Sequence, residues 1–339
     1  MKVTIKDIAR ETGMSVSTVS LALSGKESRL SSETKNKIAE AAKALNYRRN
    51  HLALGLVTKK TQVLGVILPD ISNEFFAKMA KGIGAEAENN NYKIMLVDTN
   101  DTPAKDIAAV DTLIERSVDG ILYVYAAAGQ KNNALECIKI FETENIPVVL
   151  LDRVPEDINI NAVLVDQEQG GYMAMKHLLE LGHTRIGCIT GPIVTGSSRK
   201  RLCGCIRALK EYGMSLDPAL TVEGDFHTDS GYKHAKALLD NGVTAIFAFN
   251  DLIAYGVYRF ARDNRLRVPR DLSLIGFDDI NFSEIMETPL TTINQPAYEM
   301  GIAAVKKMIA LLNKQDYEKH SIFEPQLIIR KSTTERQLS

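Results

Sequence analysis

The sequence predicts an all-α helix-turn-helix head followed by an α/β core of two lobes, each built on a doubly wound parallel sheet. Residues 4–25 hold two short helical patterns separated by a tight turn. From residue 62 onward, short β-branched apolar runs alternate with stretches of helical periodicity, which is typical of parallel sheets covered on both faces. Charge divides at the same junction, because residues 1–60 carry 12 Lys or Arg against 5 Asp or Glu while the whole chain has a net charge of −1.

The first helix of the head is predicted from its cap and its apolar face. Thr4 can cap the helix while Asp7 reaches back to it. Apolar residues recur at helical spacing at Ile5, Ile8 and Ala9. Gly13 suits the left-handed conformation that ends a helix.

The second and third helices complete a compact domain. Ser15 can cap the second helix, whose inward positions are Val19, Ala22 and Leu23. Its outward positions are Val16, Ser17, Ser20 and Leu21. A third helix from Ser31 or Ser32 closes the core, with an apolar stripe at Ile38, Ala41, Ala42 and Leu45. Helix, turn and capped helix are what a reader of the DNA major groove needs, and the basic charge supports it; a head that docks protein is the alternative.

The sequence of residues 50–57 predicts a hinge helix that forms only on DNA. Asn50 can cap it, but two turns are far below the roughly 12 residues at which an isolated helix becomes marginally stable. Gly55 costs about 1 kcal/mol more relative to alanine. We expect helix formation only when a groove and a dimer partner bury Leu52 and Leu56. A linker without a role in DNA binding is the alternative.

The core contains ten predicted strands, at residues 63–68, 94–97, 121–125, 148–151, 162–165, 186–189, 221–222, 245–249, 272–275 and 322–329. Ten strands are too many for one ordinary doubly wound sheet, so the sequence predicts two sheets and hence two lobes. Acidic or amide residues follow many of these strands: Asp70, Asp98, Asp152, Asp166, Asp225, Asn250, Asp251, Asp278 and Asp279. Ligands bind outside the carboxyl ends of such strands, so these acceptors suit a hydroxyl-rich ligand between the lobes, although each can instead cap the next helix.

Composition predicts a cytoplasmic protein without a metal or a cofactor. The chain has no apolar run of about 18 residues, and its N-terminus lacks the apolar segment of an export signal. Its 4 cysteines include no CxxC pair, and its 6 histidines include no pair at ligand spacing. Buried cytosolic thiols are the expected state of these cysteines.

These residues together resemble the LacI/GalR family of bacterial transcription regulators over essentially the whole chain. The resemblance rests on TIKDIA at 4–9, SVSTVS at 15–20, LNY at 45–47, PDISN at 69–73, VDGI at 118–121, LGHTRI at 181–186, GDF at 224–226, FND at 249–251, LIGFDD at 274–279 and PLTTI at 289–293. It implies a dimeric regulator with a periplasmic-binding-protein-like core, whose lobes are joined by three chain crossings. Its implied partners are near-palindromic operator DNA and a small sugar or sugar derivative.

The resemblance also implies domain boundaries and site residues. The head covers 1–49, the hinge 50–61, the N-terminal subdomain 62–164 with 294–319, and the C-terminal subdomain 165–293 with 320–339. The implied DNA-binding residues are Thr4, Ser15, Val16, Ser17, Thr18, Ser20, Leu21, Asn50, Ala53 and Leu56. The implied effector-binding residues are Asp70, Phe75, Phe76, Asp152, Arg201, Phe226, Asn250, Asp278 and Gln295. Of the DNA-binding set, Leu56 matches the residue that wedges into the minor groove.

The chain departs from the family pattern where the operator is read. Position 21 is a leucine, where an arginine or histidine that contacts bases is usual. Leu21 can offer only apolar contact, for example to a thymine methyl. The proline usual after the third helix is Arg49, and the usual Ala-Arg-Ser-Leu of the hinge is Ala53-Leu54-Gly55-Leu56.

The function predicted from these features is a transcriptional regulator, in the first place a repressor of carbohydrate-metabolism genes, and not an enzyme. One alternative is a global regulator whose corepressor is a phosphorylated carrier protein. The alternative from another class is an enzyme on a doubly wound fold, but the chain has no Walker A, nucleophile elbow or HExxH motif. A basic head also has no use in such an enzyme.

Overall fold

The computed structural model describes residues 3–23, 30–47, 60–127, 131–155 and 158–336. Contacts divide the chain into two units, residues 1–61 and 62–339, which correspond to the head with its hinge and to the core. The hinge positions Asn50, Ala53 and Leu56 lie outside the described residues. Their roles stay predictions.

Three helices form the head: α1 (Ile5–Thr12), α2 (Val16–Leu23) and α3 (Ser32–Ala44). The backbone N–H of Thr4 donates to the Asp7 carboxylate at 2.9 Å, and Gly13 ends α1 with a φ of 70°. The Oγ of Ser15 accepts from the N–H of Thr18 at 3.1 Å. The caps predicted for α1 and α2 are therefore present. The helices enclose a small core whose fully buried members are Ile8, Val19 and Ile38.

The N lobe contains a six-stranded parallel sheet with strand order β11-β5-β4-β3-β1-β2. Its strands are β1 (Val63–Leu68), β2 (Lys93–Asp98), β3 (Gly120–Tyr123), β4 (Val148–Leu151), β5 (Ala162–Val165) and β11 (His320–Phe323). Its helices are α4 (Glu74–Asn89), α5 (Pro103–Glu115), α6 (Lys131–Thr143) and α12 (Ala297–Leu312). One face of the sheet packs on α4 and α12, and the other on α5 and α6. In β1, Val66 faces the first pair of helices and Ile67 the second, as the alternation of side chains along a strand requires.

The C lobe repeats this plan with a four-stranded parallel sheet of order β7-β6-β8-β9. Its strands are β6 (Ile186–Thr190), β7 (Thr221–Glu223), β8 (Ala245–Ala248) and β9 (Ser273–Ile275). Helices α7 (Gln167–Glu180) and α8 (Gly196–Glu211) cover one face. Helices α9 (Thr228–Asp240) and α10 (Asp251–Asp263) cover the other, and α11 (Phe282–Ile285) follows β9. The prediction of two doubly wound parallel sheets is confirmed.

The chain crosses between the lobes three times within the described residues: after β5, after β10 (Thr292–Asn294) and after β11. The predicted single strand at 322–329 is wrong, because β11 lies in the N lobe while β12 (Gln326–Ile328) pairs antiparallel with β10. Pro325 separates β11 from β12, and a proline lacks the N–H that a continuous ladder needs. Residues 320–323 therefore belong to the N lobe, which corrects the boundary expected at 320.

Candidate DNA-binding face and effector cleft

One face of α2 presents the side chains expected to contact DNA. Val16 and Leu21 are 43% and 42% exposed, although both are apolar, and Ser15, Ser17 and Ser20 are exposed beside them. Val19, on the opposite face, is fully buried in the head core. Thr18 is half-buried and its Oγ1 lies 2.8 Å from the Oγ of Ser15. Exposed apolar side chains on one face of a capped helix fit a groove reader, while contact with bases remains a prediction.

The second candidate site is a cleft at the carboxyl ends of the strands, between the N lobe and the C lobe. All nine residues expected to bind an effector line it: Asp70, Phe75, Phe76, Asp152, Arg201, Phe226, Asn250, Asp278 and Gln295. Its volume is about 520 Å³, including solvent at its mouth. Side chains from both lobes thus meet across this cleft.

Arg201, on α8, is the main cation on the C-lobe side of the cleft. Its Nε donates to the Oε1 of Gln167 at 2.7 Å, and its Nη1 donates to the carbonyl oxygen of Phe249. Its guanidinium carbon lies 3.6 Å from the ring centroid of Phe277. Burial lowers its pKa, and Asp278 opposes that shift. Arginine stays protonated in proteins, so Arg201 is a fixed, buried source of hydrogen-bond donors.

Asp278 is the buried acid opposite Arg201. Its Oδ1 accepts from the Nε2 of Gln295 at 2.6 Å and lies 4.0 Å from the Nη2 of Arg201. Burial raises the pKa of Asp278 to about 8, with Asp251 and Asp152 adding to the shift and Arg201 opposing it. At neutral pH the carboxyl group is therefore mostly protonated. A carboxyl group that can either accept or donate a hydrogen bond at this position suits a hydroxyl group of a ligand.

Arg153, which the sequence analysis missed, is the matching cation on the N-lobe side. It directly follows Asp152, is buried, and its Nε lies 3.5 Å from Asp152. Its Nη1 donates to the carbonyl oxygen of Tyr125 at 2.7 Å and lies 3.5 Å from Asp101. A basic residue immediately after an acid at a strand end was the available signal. The cleft therefore holds one guanidinium from each lobe.

Aromatic rings and unusual backbone conformations complete the cleft. The Arg153 guanidinium lies 5.7 Å from the ring centroid of Phe76 and 5.8 Å from that of Phe226. Asp152, Phe226 and Asp278 have φ angles of 61°, 66° and 112°. Non-glycine residues rarely adopt such conformations, and they concentrate at sites where function fixes a side chain.

Comparisons with known proteins show the family to which the chain belongs. Residues 4–50 match bacterial regulatory proteins of the lacI family, and residues 175–333 match the periplasmic binding protein-like domain. The HTH-type transcriptional regulator DegA of Bacillus subtilis (strain 168) is 34% identical over 98% of this chain and 99% of its own length. The chain belongs to the lacI family.

Solved structures of this LacI family extend the likeness to the fold. The lac repressor dimer bound to operator and the anti-inducer ONPF has a TM-score of 0.87 at 27% identity, covering 98% of this chain and 100% of that one. A LacI family regulator from Enterococcus faecium with bound ribose has a TM-score of 0.74 at 28% identity, covering 81% of this chain and 100% of that one. The chain is accordingly a DNA-binding transcriptional regulator and not an enzyme. No helix among its described residues is long and apolar enough to span a bilayer.

Several acidic residues at strand ends in this LacI-family core have local structural roles. Asp166 caps α7 by accepting from the N–H of Gln169 at 2.9 Å. Asp98 accepts from the N–H groups of Ile71 and Asn100. Neither Asp166 nor Asp98 is among the described residues that line the cleft. Capping, the alternative that the sequence left open, therefore explains Asp166, while Asp98 holds the loops that follow β1 and β2.

Asn250 combines a cap with a place in the cleft. Its Oδ1 accepts from the N–H of Ile253 at 2.8 Å, and its Nδ2 donates to the carbonyl oxygen of Phe226 at 3.0 Å. Asn250 therefore fixes both the start of α10 and the turn that presents the Phe226 ring. One side chain supports two walls of the regulator's cleft.

The other lining residues that sequence reasoning missed are Pro69, Asn73, Asp101, Ser197, His227 and Leu252. Except for Ser197, each follows the end of a predicted strand by at most five residues, so proximity to those ends was the available signal. Asp101 has a φ of 49° and accepts from the N–H of Ala127 at 2.6 Å. This loop geometry, which turns Asp101 toward Arg153, is not encoded in any residue pattern that the sequence displays.

Proposed function

We propose that this regulator is a cytoplasmic homodimeric repressor that binds a near-palindromic operator and responds to a small sugar in the cleft. The observation that carries the effector assignment is the pairing of Arg153 and Arg201 with Asp152 and Asp278 around the cleft. Each of these four side chains is at most 7% exposed. Sugar hydroxyls both donate and accept, so alternating fixed donors and acceptors suit them.

The charges favour a neutral sugar over a phosphorylated one. Even without Asp278, whose pKa is raised to about 8, the lining contains three aspartates, Asp70, Asp101 and Asp152, against the two arginines. An anionic ligand would have to overcome this excess of acids in a poorly hydrated space. The rings of Phe76 and Phe226 offer apolar faces for the C–H side of a sugar ring. The ribose bound to the relative from Enterococcus faecium supports a pentose as the first probe.

The effector assignment is tested by thermal shift and calorimetry against a panel of pentoses and hexoses that begins with D-ribose. A ligand at 100 times its dissociation constant raises the free energy of unfolding by about 2.7 kcal/mol. Arg201→Ala should weaken sugar binding by about 2–5 kcal/mol, because it removes a buried, charged hydrogen-bond donor. The ligand-free affinity for operator should stay within a few-fold. Arg207→Ala, on the exposed side of the same helix and paired there with Glu168, is the matched control.

The rival signal gives the opposite result. If a phosphorylated carrier protein docked on the outer face is the corepressor, Arg201→Ala should respond to it normally, and no sugar should bind the unmodified protein. That combination would retire the sugar assignment while leaving the regulator assignment intact.

Operator binding is tested through its dependence on salt. Each phosphate neutralised by the basic head contributes a slope of about −0.9 to the plot of log affinity against log salt concentration. A steep slope together with a dimer by sedimentation is the expected result.

Leu56→Ala should weaken specific binding far more than non-specific binding, because a minor-groove wedge contributes only where the DNA kinks. Flat salt dependence, or a monomer at micromolar concentration, would contradict the proposal.

A further inference from the structure

Four buried side chains form a closed ring at the effector cleft: Arg201, Gln167, Gln295 and Asp278. The Nε of Arg201 donates to the Oε1 of Gln167 at 2.7 Å, and the Nε2 of Gln167 donates to the Oε1 of Gln295 at 3.0 Å. The Nε2 of Gln295 donates to Asp278 at 2.6 Å, and Asp278 lies 4.0 Å from the Nη2 of Arg201. Of these four, only Gln167 does not line the cavity.

Arg201 sets the direction of every hydrogen bond in the ring. Because an arginine Nε can only donate, the atom of Gln167 that faces it must be the carbonyl oxygen. The amide nitrogen of Gln167 is then left to donate to the oxygen of Gln295. Gln295 in turn presents its own nitrogen to Asp278. Gln167 thereby fixes the rotation of the Gln295 amide that faces the ligand space.

Gln167 also lies where the lobes are joined. It is the first residue of α7, directly after the crossing that follows β5, while Gln295 lies on the crossing that follows β10. The Nε2 of Gln167 is 3.4 Å from the Oδ1 of Asp152, in the N lobe. Its amide thus contacts an acid of the N lobe and a cation of the C lobe, and Gln167 is only 3% exposed. A buried amide with this many partners is costly to disturb.

We propose that Gln167 is a positioning residue for effector recognition, holding Arg201 and Gln295 so that the Arg201 Nη2 and the Asp278 carboxyl group face one ligand hydroxyl. This inference rests on the proposed sugar effector. With Gln167 in place, the long 4.0 Å gap between Nη2 and Oδ1 admits a hydroxyl that accepts from Arg201 and donates to Asp278. Without it, Arg201 loses its Nε hydrogen bond, and Gln295 loses the partner that fixes the rotation of the amide facing Asp278.

Two substitutions separate the roles of the Gln167 amide. Gln167→Glu keeps the shape and still accepts from Arg201, but it cannot donate to Gln295 and it adds a negative charge beside Asp152. Gln295 must then turn its nitrogen toward residue 167 and its oxygen toward Asp278. Gln167→Met keeps the length but removes both polar atoms. Gln169→Met is the matched control, because Gln169 lies on the same helix and contacts Arg207 outside the cleft.

The experiment measures the dissociation constant of D-ribose, or of the panel sugar that binds if D-ribose does not, together with a full set of its monodeoxy derivatives. In the unmodified protein, removal of the hydroxyl held by Arg201 and Asp278 should weaken binding at least tenfold. In Gln167→Glu and Gln167→Met, binding of the parent sugar should weaken at least tenfold. The penalty for that one missing hydroxyl should also shrink below threefold, while the other hydroxyls keep theirs. Gln169→Met should keep the affinities and penalties of the unmodified protein.

Other outcomes contradict the inference in distinguishable ways. If both Gln167 variants weaken every sugar by one common factor, or bind as the unmodified protein does, Gln167 does not position the pair, and the sugar effector stands. If Gln167→Met does not fold by circular dichroism, the isosteric Gln167→Glu decides alone. If no sugar binds the unmodified protein, the proposed effector fails and the role of Gln167 fails with it.

Discussion

The ammonium group of Lys78 donates a hydrogen bond to the carbonyl oxygen of Asp279 at 3.0 Å, joining α4 of the N lobe to the loop after β9 in the C lobe. On the same helix, Glu74 accepts from the N–H of Asn281 at 3.0 Å. None of these four residues is among the described residues that line the cleft. The two contacts therefore favour the closed arrangement of the lobes without touching a ligand.

Lys78→Met should weaken sugar binding although Lys78 contacts no sugar. A ligand enclosed by both lobes binds their closed arrangement, and loss of a partly exposed hydrogen bond from a charged group costs about 1 kcal/mol, roughly fivefold in affinity. Calorimetry with the panel sugar measures this change. Lys81→Met, at an exposed position of the same helix, should leave the affinity unchanged. Equal affinities for both variants would show that the Lys78 contact does not bias closure.

Sugar affinity should rise with pH between about 6 and 8 and level off above. Burial raises the pKa of Asp278 to about 8, and hydroxyl groups that donate to its carboxylate favour the ionised form. Binding must then release a proton below that pKa, which weakens affinity by at most tenfold per pH unit. Titrations in buffers of different ionisation enthalpy count the released protons. Asp278→Asn should flatten the profile, and a pH-independent affinity in the unmodified protein would oppose this assignment.

The same shift affects the stability of the ligand-free protein. The folded state holds the Asp278 proton more tightly than the unfolded state, whose pKa is near 3.8. The contribution of Asp278 to the free energy of unfolding is therefore fully present below pH 4 and is lost as pH rises to about 8. Denaturation of Asp278→Asn at pH 5 and pH 8 should show the variant gaining stability relative to the parent at the higher pH. A relative stability that does not change with pH would count against the raised pKa.

The sequence predicted the sheets from the alternation of apolar runs with helical stretches, and it predicted the cleft from the residues that follow the strands. A parallel sheet gathers the residues that follow its strands at one edge, so Asp152, Asn250 and Asp278 meet wherever the loops go. Which acids face the ligand depends instead on local hydrogen bonds. The Asp166 side chain caps α7. The Asp101 side chain instead lines the cleft, from a loop in which Asp101 has a positive φ.

Two further features depended on contacts distant in sequence. The exchange of strands around Pro325 followed from pairing with β5 and β10, which lie far earlier in the chain. The role of Gln167 required knowing that Arg201 lies 2.7 Å away across 34 residues of sequence. Neither pairing leaves a periodic or compositional signal.

Ile38→Ala should unfold the head while leaving the core intact. Ile38 is fully buried with Ile8 and Val19 in a small core, and truncation of a buried isoleucine to alanine costs about 2–5 kcal/mol. A domain this small has little stability to lose. Operator binding should disappear while the sugar dissociation constant stays within twofold. Ile38→Val, which costs about 0.5–1.5 kcal/mol, should retain operator binding; loss of sugar binding in Ile38→Ala would contradict the independence of the two units.

Leu21→Arg should change which operator the regulator prefers. Leu21 is 42% exposed on the face of α2 that carries Val16 and Ser17, and its side chain can make only apolar contacts with a base. An arginine there can donate two hydrogen bonds to guanine, worth about 1–3 kcal/mol of discrimination against other bases. Selection from a randomised operator library should therefore enrich guanine at one position of each half-site. Leu21→Met, which adds no donor, should select the parental sequences, and unchanged selection by Leu21→Arg would remove residue 21 from base recognition.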